Sequence, residues 1–250
     1  MAVYKSKGIV LRSIRYGEAD RILDLYTLDV GLISAIAKGI RRTKSRFGAR
    51  LEPLSCVDFV AYQGRTLHTV TQAEVLRSFH RVREDLARFE AAAGMVRTVR
   101  ALSGGDEADR RVFNLLYHGL DSLENRESGF GTVEAAFGLK LSMLAGYAPQ
   151  LDSCMGCNAV PEETEGRIYF APNLGGVLCA ECRTQSADTF PIPPEVLDRL
   201  RALLRSPIRD VPADELLGES VRRIVRSHVI AHAPGNLLLD PTTPGARRPA

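Results

Sequence analysis

Short apolar runs broken by turn residues fill roughly the first third of the chain. Residues 3–14 and 21–28 are rich in apolar and β-branched side chains, the make-up of strands, and Tyr16-Gly17-Glu18-Ala19-Asp20 between them reads as a turn. Asp29-Val30-Gly31 predicts a tight hairpin leading into a third strand at 32–37. A polar, basic segment (38–50) separates it from a fourth strand at 55–62. Gln63-Gly64-Arg65 then turns the chain into a fifth, 66–76. Five short strands within 80 residues are what a small barrel such as an OB-fold requires, and the count alone fits an SH3-like barrel nearly as well.

From Glu84 the period lengthens to that of helices. Leu86, Phe89, Ala93, Val96 and Val99 recur at spacings of three and four, which predicts one buried face. A second helix is predicted over 107–125, with Val112, Leu115, Leu116, Gly119, Leu120 and Leu123 inward. A third covers 132–147, with Ala136, Leu139, Leu144 and Ala145 inward. Residues 150–190 lose this period. Pro191, Pro193 and Pro194 precede a fourth helix carrying Val196, Leu197, Leu200, Leu203 and Leu204, and proline is tolerated in a first turn. The last predicted helix, 213–231, aligns Leu217, Val221, Ile224, Val225 and His228. The expectation is an α+β chain: a barrel over 1–80, a helical domain over 81–234 with an insertion at 150–190, and a disordered tail at 235–250 rich in Pro, Gly and Thr.

The chain has 250 residues, 45% hydrophobic and 25% charged, as in an ordinary globular protein. It has no apolar run of about 18 residues and no signal-peptide pattern, so the expectation is a cytoplasmic protein without a membrane span. The net charge of +3 conceals an asymmetry. Residues 1–80 hold 13 Lys/Arg against 7 Asp/Glu, whereas the remainder holds 20 against 23. Such a bias is the footprint of a polyanion-binding module. The bias is strongest in the 38–50 segment, where Lys38, Arg41, Arg42, Lys44, Arg46 and Arg50 occur without an acid. These six are candidate phosphate contacts, Thr43 and Ser45 candidate hydrogen-bond donors, and Phe47 a candidate stacking surface for a base. The competing expectation is a solvated loop that Phe47 ties to the barrel.

Cys154 and Cys157 form one C-x-x-C pair and Cys179 and Cys182 another, with 21 residues between them. Two such pairs supply a tetrahedral four-sulfur shell suited to one Zn²⁺, and a closed shell of that kind is structural because no coordination position stays open. Cys56, in a strand pattern, reads as a small buried hydrophobe. His228 and His232 are four residues apart on a helix, but His228 lies on the apolar stripe and reads as a packed core histidine. No phosphate-binding P-loop, G-x-S-x-G elbow, dinucleotide fingerprint or zinc-deaminase pattern occurs, which argues against an enzyme of those classes.

Several motifs in order resemble the bacterial RecO recombination-mediator family. They are Lys7-Gly8-Ile9-Val10-Leu11, Tyr16-Gly17-Glu18-Ala19-Asp20-Arg21-Ile22-Leu23, Gly31-Leu32-Ile33 through Ala37-Lys38-Gly39, the basic run from Arg41 and Arg42 to Arg46, and Leu51-Glu52-Pro53. Gly146-Tyr147-Ala148-Pro149-Gln150-Leu151, both cysteine pairs, Phe170-Ala171-Pro172 and Gly175-Gly176 continue the likeness, which covers about residues 3–232. Asn158 departs from it, standing where the family often has glycine. The resemblance implies an N-terminal OB-fold, a helical domain and a zinc-binding insertion. It also implies a non-enzymatic role in DNA repair and recombination: binding single- and double-stranded DNA and annealing complementary strands. The partners implied are RecR, the C-terminal tail of the single-strand-binding protein and, indirectly, RecA, with nucleoid association during repair. Read from the residues alone, a zinc-stabilised RNA-binding factor or a protein-docking adaptor stays open.

Overall fold

Five strands close into a barrel at the amino end of the chain. The computed structural model describes residues 2–42, 45, 47–103, 107–161 and 167–233, so the tail expectation at 235–250 lies outside the described residues. The strands are β1 (Val3–Tyr16), β2 (Asp20–Thr27), β3 (Gly31–Ala37), β4 (Cys56–Tyr62) and β5 (His68–Arg77). They pair in the closed order β1-β2-β3-β5-β4, antiparallel except for the β3–β5 contact, which is parallel. That pairing gives the barrel an OB-like topology and removes the SH3-like alternative.

β1 is long enough to serve two neighbours: its first half pairs with β4 and its second with β2. The changeover falls at Gly8, where a Cβ would stand 3.0 Å from the Phe59 ring and 3.3 Å from Leu25. The missing side chain lets the strand cross the interior closely. Val10, Leu23, Leu25, Ile33, Ala35, Ala37, Val57, Phe59, Ala61 and Val70 fill the barrel, and Phe47 and Leu51 join them from the segment between β3 and β4.

Among the described residues six α-helices follow: α1 (His80–Glu84), α2 (Leu86–Leu102), α3 (Arg110–Asn125), α4 (Phe130–Leu144), α5 (Pro194–Arg205) and α6 (Glu215–His232). α4 packs against α2, α3, α5 and α6 and is apolar nearly all round, as a central helix must be. The apolar stripe expected on α2 is corrected here. Leu86 and Phe89 are 74% and 42% exposed, and the buried face runs through Arg88, Ala91, Ala92, Met95, Val96 and Val99 instead. Arg88 sets the phase: its guanidinium donates to Leu123 O and Arg126 O and lies 4.9 Å from the centre of the Phe130 ring.

The barrel and the helices share one core. Ile9, Leu11, Tyr26, Leu54 and Cys56 pack with the helical residues. Gly31 (φ 79°) brings the β2–β3 turn against the helical domain, where a Cβ would lie 2.9 Å from Glu107 O. Asp29 accepts from Ser6 and pairs with Arg110 at 2.8 Å, and Tyr26 donates to Asp109 O.

The 150–190 region, aperiodic in sequence, contains a small antiparallel sheet. β6 (Ile168–Ala171) lies between β7 (Gly176–Leu178) and β8 (Phe190–Ile192).

Candidate nucleic-acid interface and metal centre

The outer face of β1–β2–β3 is divided by a bulge. Opposite residues in an antiparallel pair point to the same side. Val10 pairs with Leu25, both inside the barrel, but the next registered pair is Arg12 with Asp24. Leu11 is the extra residue, and it turns outward into the core shared with the helices. Beyond it, Arg12, Ile14 and Tyr16 pair with Asp24, Ile22 and Asp20 on the outside. The helices cover the half of this face that carries Ile9, Leu11 and Tyr26, and an Arg100–Asp24 contact of 3.8 Å lies at that boundary. The half ending in the β1–β2 turn is open, with Ile14 and Tyr16 exposed.

The start of the basic segment is fastened to that open end. Gly39 N donates to Asp20 Oδ1 at 2.7 Å, Arg41 N to Ala19 O at 2.9 Å and Arg41 Nη1 to Gly17 O at 3.3 Å. A turn follows in which Arg42 N donates to Gly39 O. Lys38, Arg41 and Arg42 are exposed. Among the described residues the ion pairs within the barrel, Lys5 with Asp58 at 2.9 Å and Arg21 with Glu52 at 3.7 Å, engage none of the three. Lys44 and Arg46 lie outside the described residues. Arg50 is exposed beside the barrel plug. Phe47 is a correction: only 1% of its surface is exposed, so it plugs the barrel and offers no face to a base. Burying an aromatic ring against the apolar barrel core gains more than leaving it in solvent. Two further cations of β1 lie outside the dense charge run: Arg12, half-buried on the outer face opposite Asp24, and exposed Arg15, which the register sets on the other face opposite Arg21.

The four paired cysteines converge. One Sγ from each of Cys154, Cys157, Cys179 and Cys182 lies within 4.8 Å of the others, close enough to hold one metal ion. Cys157 and Cys179 are 3.8 Å apart, and sulfurs bound at about 2.3 Å around one tetrahedral ion are separated by about 3.8 Å. The turns are built for this. Asn158 N donates to Cys154 O at 2.9 Å and Cys154 N to Ala159 O at 2.8 Å, closing the first C-x-x-C knuckle. Asn158 takes a left-handed φ of 62° there, a conformation asparagine tolerates in place of glycine. Gly156 N and Cys179 N both donate to Cys154 Sγ, at 3.4 and 3.3 Å. Burial pushes the Cys154 thiol up, but the backbone amides of Cys179, Cys157 and Gly156 outweigh it and bring its pKa down to about 6. Cys154 is therefore poised to become a thiolate, the form that binds metal, whereas the hydrogen bond with Cys179 and desolvation push the Cys182 thiol up to about 12.

Cys56, by contrast, is buried in the shared core, and desolvation raises its thiol to about 11. His228 is also a core residue. Its Nε2 lies 2.8 Å from Tyr147 O, and burial lowers its pKa to about 4.

Known proteins match this chain along its length. The description "Recombination protein O N terminal" fits residues 1–79, and "Recombination protein O C terminal" fits residues 83–236. The chain belongs to the RecO family. A DNA repair protein RecO from Rubrobacter xylanophilus is 62% identical over 237 residues, spanning 94% of both chains. That from Alkaliphilus metalliredigens is 35% identical over 233 residues, 91% of this chain and 93% of its own, and that from Thermobifida fusca is 38% identical over 207 residues, 82% and 83%. Membership of the family fits a role in DNA repair and recombination, and it assigns the barrel and the helices to separately matched regions. Among the described residues no helix is long and apolar enough to cross a membrane.

Proposed function

We propose that this RecO-family chain is a non-enzymatic mediator that holds DNA on the open end of its barrel. Lys38, Arg41 and Arg42 meet phosphates there, with Lys44, Arg46 and Arg50 continuing the cationic track and Arg12 flanking it. It binds single- and double-stranded DNA and anneals complementary strands. With RecR it assists RecA in replacing the single-strand-binding protein, whose C-terminal tail docks on the chain. The observation that carries this reading is the fastening of the start of the cationic segment, with Lys38, Arg41 and Arg42 exposed, to the β1–β2 turn. Fixed guanidinium groups at a barrel mouth neutralise a polyphosphate without chemistry. Zn²⁺ is the metal that the four cysteines fit best, and in a closed thiolate shell it braces the insertion.

The test is Arg41→Glu with Arg42→Glu. About four phosphates engaged by the wild type correspond to a log–log salt slope near −3 on single strands. The double variant is expected to lose at least about tenfold in affinity at low salt with a flatter slope, while its folding stability stays within about 0.5 kcal/mol. Unchanged affinity and slope would remove this segment from the interface. Equal binding of RNA and DNA strands of one length would favour a general single-strand binder, and tight partner binding without DNA affinity an adaptor.

A further inference from the structure

Among the described residues, four aromatic side chains stand exposed: Tyr16, Tyr62, Phe89 and Tyr147. Tyr147 leans on the His232 ring at 5.3 Å. Phe89 follows Arg88, whose charge is consumed by the α3 carbonyls and by Asp85 and Glu127. Tyr62 ends β4 opposite Val3, where the pair Lys5–Asp58 is already closed. Tyr16 differs from all three. It is 54% exposed, and among the described residues no hydrogen bond or ring contact engages its side chain. Asp20, its partner across the hairpin, accepts from Gly39, and the carbonyl of the next residue, Gly17, accepts from Arg41. Tyr16 is thus one step from two of the three ties that hold the cationic segment. The outer-face register sets it beside exposed Ile14 and half-buried Ile22.

An apolar ring standing in water at the rim of a fixed cationic cluster is costly without a ligand, and a ligand with alternating phosphates and flat faces satisfies both features. We propose that Tyr16 is the base-stacking platform of this interface, so that the barrel mouth reads an unpaired strand by one ring and its neighbouring phosphates. The inference rests on the DNA-binding reading above and adds to it a preference for unpaired strands. A duplex keeps its bases stacked on each other and offers Tyr16 no face.

The chain contains no tryptophan, so Tyr16→Trp places a single indole at the platform. Oligo-dT is expected to quench its emission, and a duplex of equal length is expected to leave it nearly unchanged. Tyr16→Ala is expected to weaken oligo-dT binding by about five- to 150-fold, the span of one base–aromatic stack. The salt slope should not change, because stacking releases no counterions, and duplex affinity should stay within twofold. Folding is checked by the melting temperature of each variant. A folded Tyr16→Ala that binds oligo-dT as the wild type does, or an indole indifferent to a bound strand, overturns the assignment while leaving the cationic interface standing. A wild-type chain that binds no strand at all overturns both.

Discussion

The barrel and the cysteine-bearing insertion solve the same problem by different means. Twelve buried residues, including Phe47 and Phe59, fill the barrel. The sulfur end of the insertion has a local core of four buried residues, Cys154, Ala171, Leu178 and Cys179, and two of these are the candidate ligands themselves. Apolar burial at roughly 25 cal/mol per Å² supports the first and cannot support the second alone. On the proposed reading, an ion held by the convergent thiols takes over that task. The rest of the insertion is held from outside: Leu151, Ile168, Phe170, Val177 and Ile192 belong to the main core, Arg201 donates twice to Leu151 O, and the Phe170 ring sits 6.1 Å from His228 of α6. On that reading the two regions have different vulnerabilities, one to truncation of a ring and the other to loss of an ion.

The largest effect is expected where ligation replaces packing. On the proposed zinc reading, elemental analysis of reduced protein should find one Zn²⁺ per chain, and Cys179→Ser should abolish it. Because apparent zinc-binding free energies reach about 10 kcal/mol in small domains, the β6–β7–β8 sheet should lose its amide-exchange protection. The barrel's own protection should persist. If the sheet stays protected without metal, the contrast drawn here fails. Next, Phe47→Ala removes the barrel plug and should cost about 3–5 kcal/mol of stability in denaturant titrations, whether or not zinc is present.

The third effect concerns acid. A histidine whose pKa falls from the ordinary value of 6.5 to about 4 on folding binds its proton more readily in the unfolded chain. Stability is therefore full above pH 6.5 and declines as the pH falls toward 4, by about 3 kcal/mol at most for this one group. Nuclear magnetic resonance of the His228 ring should show no protonation between pH 7 and pH 5. A midpoint near 6.5 would mean that the contact of α6 with the segment after α4 is far looser than the 2.8 Å hydrogen bond between His228 and Tyr147 O.

Strand positions were legible in sequence because an alternating or β-branched pattern is a local signal; all five barrel strands lie within two residues of their expected limits. Their order was not, since the parallel β3–β5 contact joins residues some thirty positions apart, such as Ala35 and His68. The cysteine spacing carried its own geometry, so the four-sulfur cluster was legible outright. The α2 face was misread because hydrophobicity alone ranked Leu86 and Phe89 above Arg88. A buried arginine that satisfies α3's last carbonyls is a tertiary effect with no local trace. The basic run identified Lys38, Arg41 and Arg42, yet composition could not tell that Phe47 points inward. It also could not tell that Arg12 and Tyr16 share the outer face, for that depends on the Leu11 bulge.

That one supernumerary residue has a consequence for how such chains can diverge. Between the bulge and the hairpin tip, β1 has parity: adding or losing one position exchanges what faces water with what faces the interior, and only paired changes preserve the pattern. Natural variation in hairpin length should therefore come in steps of two, while single-step variants should either carry a compensating kink or give up the tip altogether.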